Sequence, residues 1–140
     1  MRAPGLRIAL AQLDPTVGDL AGNSCLIAEA AKRARAAGAD LLVTPELCLP
    51  GYPAEDLYLK RHFADANRRA LDELAAAIEG IVVTVGFAEP GPRLPRPSLD
   101  APGPPAAHNS LAVIEAGEVR AVYRKNRLPN YGVFDEARYF

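Results

Sequence analysis

Apolar residues fall in short clusters along this chain, and their spacing switches between the strand and the helix period. Leu6–Leu13 (LRIALAQL) is apolar on both faces apart from Arg7 and Gln12, as expected of a buried strand. Asp14–Gly22 is broken by Pro15, Gly18 and Gly22 and reads as a loop. Asn23 offers a side-chain oxygen to a free backbone N–H, so a helix is expected to start there. Ile27, Ala30, Ala31 and Ala34 give that helix an apolar stripe, Glu29 and Arg33 can pair on its solvent side, and Gly38 ends it. Leu41–Thr44 reads as a second strand, followed by a polar, proline-bearing turn over Pro45–Pro53. His62–Ile78 predicts a long helix with Phe63, Ala66, Ala70, Leu74, Ala77 and Ile78 facing inward. Ile81–Phe87 (IVVTVGF) is β-branched and apolar, hence a third buried strand.

The order β-α-β-α-β is the signature of layered α/β packing. Pro90–Ala107 interrupts it with seven of the thirteen prolines and no periodicity. Proline removes donors and fixes φ, so the stretch reads as a surface excursion. A domain linker is the less favoured reading, because little chain follows in which to build a second domain. Asn109–Ile114 and Glu118–Tyr123 flank Ala116-Gly117 at the spacing of a β-hairpin. Arg124–Phe140 is dense in charged and aromatic residues, contains Pro129 and Gly132, and looks like a functional loop.

Bulk properties narrow the possibilities. A length of 140 residues suits one domain with a real core. The net charge of -1 gives no reason to expect a nucleic-acid partner. No apolar run approaches the roughly 20 residues of a membrane span, and no signal-peptide pattern opens the chain. Two cysteines, Cys25 and Cys48, are too few for a disulfide framework, so a cytoplasmic setting is expected. His62 and His108 lie far apart without Cys or His neighbours at ligand spacing, so no metal is expected.

Two residues carry candidate chemistry. Glu46 follows a strand, at the kind of position where catalytic groups gather in α/β layers, and partial desolvation there would suit a general base. Its bland alternative is a solvated loop glutamate. Lys125 also follows a strand and could set a positive charge beside a developing oxyanion. Its alternative is a surface basic cluster with Arg124 and Arg127.

Thr44-Pro45-Glu46 after one strand and Tyr123-Arg124-Lys125 after the hairpin together resemble the nitrilase (carbon–nitrogen hydrolase) superfamily, as does the opening Ile8–Leu13 with Gly18-Asp19 and Asn23. The tail Arg124–Phe140, with Gly51-Tyr52-Pro53 and Glu55-Asp56-Leu57, is similar to the segments of bacterial glutamine-dependent NAD synthetases. The resemblance implies an α/β fold, a four-layer α-β-β-α sandwich of which residues 1–140 form an N-terminal part. Both long helices are then expected on one sheet face, with the charged atoms of Glu46 and Lys125 within about 6 Å.

It further implies glutamine hydrolysis, with Glu46 as general base and Lys125 at the oxyanion. Tyr131 and Phe134 would contact substrate glutamine, and Glu136 would orient Lys125. The family's nucleophilic cysteine comes after the lysine, so it is expected beyond position 140. Cys25 and Cys48 then read as packing residues. No cofactor is expected for these residues, whereas ATP and magnesium would serve a separate synthetase domain, the full-length protein being a homo-oligomer. Two other readings stay open. One is a different nitrilase-type amidase or carbamoylase, against which the tail argues. The other is an inactive binding module.

Overall fold

A computed structural model describes residues 5–92 and 106–140. Strands β1 (Ile8–Leu10), β2 (Leu41–Val43), β3 (Val82–Pro90), β4 (Ala107–Glu115) and β5 (Glu118–Arg124) form one sheet in the order β1-β2-β3-β4-β5. β1, β2 and β3 run parallel, joined through helices α1 (Leu20–Ala36) and α2 (Arg61–Ala77), while β3, β4 and β5 are antiparallel neighbours. A 3₁₀ turn (Glu55–Leu59) precedes α2, and a one-turn helix α3 (Glu136–Tyr139) closes the described chain.

Both long helices pack on one face of the sheet. Ile27, Ala31 and Ala34 of α1 and Leu71, Leu74 and Ala75 of α2 share a core with Leu42, Val83, Val85, Phe87, Ala112 and Ile114. These strand residues alternate with Val43, Thr84, Gly86, Leu111 and Val113, as the period of two requires. The opposite face has no helical cover among the described residues. There Leu10 is 72% and Tyr123 61% exposed.

The opening segment departs from expectation, since only Ile8–Leu10 is strand and it is not buried. β1 is a sheet edge, and just one of its faces meets the helices, through Ala9. Asn23 is not the helix cap either. α1 starts three residues earlier, capped by Asp19, whose carboxylate accepts from the Gly22 N–H. Asn23 lies inside the helix, fully buried. Its Oδ1 accepts from Thr16 N–H at 2.9 Å, and its Nδ2 donates to the carbonyls of Thr16 (2.8 Å) and Leu49 (2.9 Å). Glu29 faces Lys32 at 4.0 Å rather than Arg33.

The inward stripe of α2 is rotated from the expected one. Phe63, Ala64, Asn67, Leu71, Leu74 and Ala75 are buried, whereas Ala66 and Ala70 are half-buried and Ala77 is exposed. Asn67 can sit inside because Nδ2 donates to the Phe63 carbonyl while Oδ1 accepts from the Ala88 N–H. The hairpin turns through Ala116 (φ 51°) and Gly117 (φ 80°), the paired positive φ of a type I′ turn. β3 and β4 are longer than expected and reach into the proline-rich stretch, with Pro90 opposite Ala107. The rest of that stretch, 93–105, lies outside the described residues.

Candidate active site

Glu46 is positioned by a loop that lies directly on β3. After β2 the chain rises through Thr44, whose hydroxyl donates to the Thr84 carbonyl at 2.9 Å. It then crosses β3 at Gly86, and Leu49 N–H donates to the Gly86 carbonyl at 3.0 Å. A Cβ on Gly86 would lie 2.3 Å from the Leu47 nitrogen, so only glycine lets the loop come this close. Leu47 itself takes a positive φ of 46° and is fully buried. The Asn23 side chain holds the loop's far end through Leu49, as described above.

Lys125 is launched from the end of β5. Its N–H donates to the Asn109 carbonyl at 2.8 Å. The residue before it, Arg124, grips Glu89 with two hydrogen bonds of 2.8 and 2.7 Å, and Ser110 donates to the same carboxylate at 2.8 Å. The Arg124 guanidinium holds the Glu89 carboxyl below the usual carboxylate range, against the opposing effect of burial.

These supports bring two residues 79 apart in sequence into contact. Lys125 Nζ donates to Glu46 Oε1 at 2.7 Å, inside the expected approach. It also donates to Glu136 Oε1 at 3.2 Å and lies 2.9 Å from Glu136 Oε2, which it holds by charge without hydrogen-bond alignment. Glu136 is 3% exposed, so its carboxylate depends on this cation and on the Tyr52 hydroxyl, which donates to Oε1 at 3.0 Å. Burial works against the Lys125 charge, but hydrogen bonds and charges from Glu46 and Glu136 outweigh it and raise its pKa. Burial, the bond to Glu136 and the charges of Glu136 and Glu46 push the Tyr52 phenol up. The Glu46 side chain is 50% exposed.

Glu46 and Lys125 open onto a cavity of ≈ 300 Å³, whose wall includes Thr44, Gly86, Asn109 and Tyr123. A larger trough of ≈ 500 Å³ runs between α1 and α2, lined largely by alanines, and shares no residue with it. Glu136 is thus brought to Lys125 as expected. Tyr131 and Phe134 are not part of the cavity wall. They stack edge-on against each other at 5.7 Å, and Tyr131 is 72% exposed.

Cys48 is buried in the core, and burial pushes its thiol up to about 11 against a smaller, lowering influence of Thr44. It packs within the core shared by the two long helices and the sheet. Cys25 is exposed on the α1–α2 trough. Among the described residues no group of three or more His, Cys, Asp and Glu could hold a metal ion, and no helix is long and apolar enough to cross a membrane.

Sequence reasoning missed two contributors. Asn109, whose Nδ2 donates to Glu46 Oε1 at 2.7 Å, stood in the sequence only as the first residue of the expected strand Asn109–Ile114. Gly86 gave a weaker sign, a lone glycine inside a strand.

Known proteins share this arrangement of chain. The carbon–nitrogen hydrolase family model matches residues 7–140. The glutamine-dependent NAD(+) synthetase of Thermotoga maritima is 46% identical over 137 residues, covering 96% of this chain and 22% of its own length. This chain therefore spans about a fifth of such relatives. A crystal structure of a glutamine-dependent NAD(+) synthetase from Cytophaga hutchinsonii superposes with a TM-score of 0.81 at 30% identity, over 96% of this chain and 21% of that one. An amidase from Nesterenkonia sp. superposes with a TM-score of 0.73 at 30% identity, over 100% of this chain and 49% of that one. With its β-α-β-α-β frame, α/β layering and family match across nearly its whole length, the chain belongs to the carbon–nitrogen hydrolase family.

Proposed function

We propose that this chain supplies the general base and the oxyanion-binding cation of a glutamine amide hydrolase. The freed ammonia would serve ATP-dependent amidation of nicotinate adenine dinucleotide to NAD elsewhere in the same protein. The observation that carries this reading is the 2.7 Å contact of Glu46 with Lys125 at one cavity wall. Likeness to glutamine-dependent NAD synthetases through the Arg124–Phe140 tail supplies the substrate.

An amide resists attack by neutral water, so a thiolate nucleophile divides the reaction through a thioester. That cysteine lies outside residues 1–140 in this reading. A variant of the Nesterenkonia amidase carries the acetamide moiety of fluoroacetamide on its active-site cysteine, so that relative has a nucleophilic cysteine at its site. Glu46 takes the thiol proton as sulfur bonds to the glutamine side-chain carbonyl carbon. The oxygen becomes an oxyanion beside the Lys125 ammonium, which Glu136 and Tyr52 hold in place. Collapse breaks the C–N bond, and the proton from Glu46 leaves with ammonia. Glu46 then takes a proton from water, whose attack on the thioester frees glutamate and returns the proton to sulfur. Tyr131 and Phe134, on the exposed loop before α3, would contact the substrate once that loop is covered.

A simpler amidase is the second reading, favoured by the similarity to the Nesterenkonia enzyme. The test uses the full-length protein carrying this chain. Amide-¹⁵N-glutamine is supplied with ATP, magnesium and nicotinate adenine dinucleotide, and acetamide or propionamide is run in parallel. Label in the carboxamide of NAD supports the proposal. Ammonia release from the small amides but not from glutamine would replace it with the second reading.

A further inference from the structure

We infer that Asn109 is the positioning residue that aims the general base, holding one oxygen of Glu46 so that the other exchanges the proton. The inference rests on the proposed hydrolase reading and adds a residue to it. Asn109 sits on β4 opposite Ala88 and is 5% exposed. Its Nδ2 donates to Glu46 Oε1 at 2.7 Å, and Lys125 Nζ donates to that same oxygen at 2.7 Å. The carboxylate acceptor fixes which end of the amide points at it.

Two short donors occupy Oε1, and Oε2 has no partner among the described residues. A half-exposed glutamate has three rotatable bonds and would otherwise sample many poses. Here the only oxygen free to take a proton is defined by the two that bind its neighbour. Asn109 also holds the cation, because its carbonyl accepts the Lys125 N–H at 2.8 Å. One residue therefore sets the relative position of base and cation. A neutral amide does this without adding charge to a site that already contains Glu46, Glu136 and Lys125, with the Tyr52 phenol close by.

Two variants of the full-length protein test this, assayed for ammonia release from glutamine between about pH 5.5 and 9. Asn109→Asp keeps the size and reverses the donor. Asn109→Ala keeps the backbone bond to Lys125, adds no charge, and opens onto the existing cavity, so it guards against misfolding of the aspartate. Both should lower kcat about tenfold or more, with KM for glutamine within about threefold of the parent. The aspartate's loss should deepen as pH rises, because a protonated Asp donates to Glu46 as Asn does, whereas an ionised one repels it. The alanine's loss should show no such deepening. Parental kcat in either folded variant overturns the inference alone. So does a loss in Asn109→Asp that matches the alanine's at every pH, which would reduce Asn109 to packing. A parent that frees no ammonia from glutamine overturns the hydrolase reading and the inference with it.

Discussion

Gly86→Ala strikes where the Glu46 loop rests on the sheet. The added Cβ would stand 2.3 Å from the Leu47 nitrogen and 3.0 Å from both the Glu46 carbonyl carbon and Leu47 Cα. All three are backbone atoms, so no rotamer change relieves the contact. Ordinary contact begins near 3.4 Å, and the loop must rise by about 1 Å. Leu47 and Leu49 are fully buried and resist that shift, which sets the cost at about 1–3 kcal/mol. Carried with the loop, Glu46 would stretch its 2.7 Å bonds to Lys125 and Asn109 beyond hydrogen-bond range. Misplacing a catalytic group by about 1 Å costs on the order of 10²-fold in rate. Thermal unfolding and glutamine-dependent ammonia release of the full-length protein should show both losses together. An alanine variant with an unchanged unfolding midpoint and kcat within about threefold of the parent would refute the close approach as the device that sets Glu46.

Asn23→Ala removes three hydrogen bonds, two half-buried to Thr16 of the opening loop and one buried to Leu49 of the Glu46 loop, and urea unfolding should show a loss of about 2–3 kcal/mol. A loss under about 0.5 kcal/mol would mean the two loops hold without it. Lys125, Tyr52 and Tyr58 all have pKa values raised above their ordinary 10.5, 10.0 and 10.0. Their unfolded forms therefore lose protons first, as does that of Cys48, raised from 9.0, so stability should fall as pH rises above about 9, less steeply in Tyr52→Phe. Equal slopes in parent and variant would contradict the Tyr52–Glu136 bond. With its thiol near 11, Cys48 is ionised to about one part in a thousand at pH 8. Iodoacetamide and mass spectrometry on the folded protein should therefore find Cys25 alkylated well before Cys48, and equal rates would contradict the burial.

The sequence showed the frame better than its margins. Ile81–Phe87 and the Ala116-Gly117 turn were legible because β-branching and a two-residue turn are local signals. The edge position of β1 was not, since an apolar run reads alike in the middle and at the rim of a sheet. Polar residues caused the other errors. Asn23 and Asn67 look solvent-facing, yet each is buried against backbone groups brought from elsewhere in the fold. That long-range pairing also hid Asn109. Glu46 and Lys125 were each ambiguous alone, and their joint significance came from resemblance, because no local pattern foretells a contact across 79 residues.

Glutamine-dependent ammonia release by full-length Glu46→Gln, Lys125→Met and the double variant, each shown folded by circular dichroism, tests most directly whether these two residues act as one catalytic unit. Each single variant should lose at least about 10³-fold in kcat, and the double variant should be no worse than the poorer single, because either loss already disables the shared steps. Activity within about tenfold of the parent in either single variant, or losses that multiply in the double, would contradict that unit.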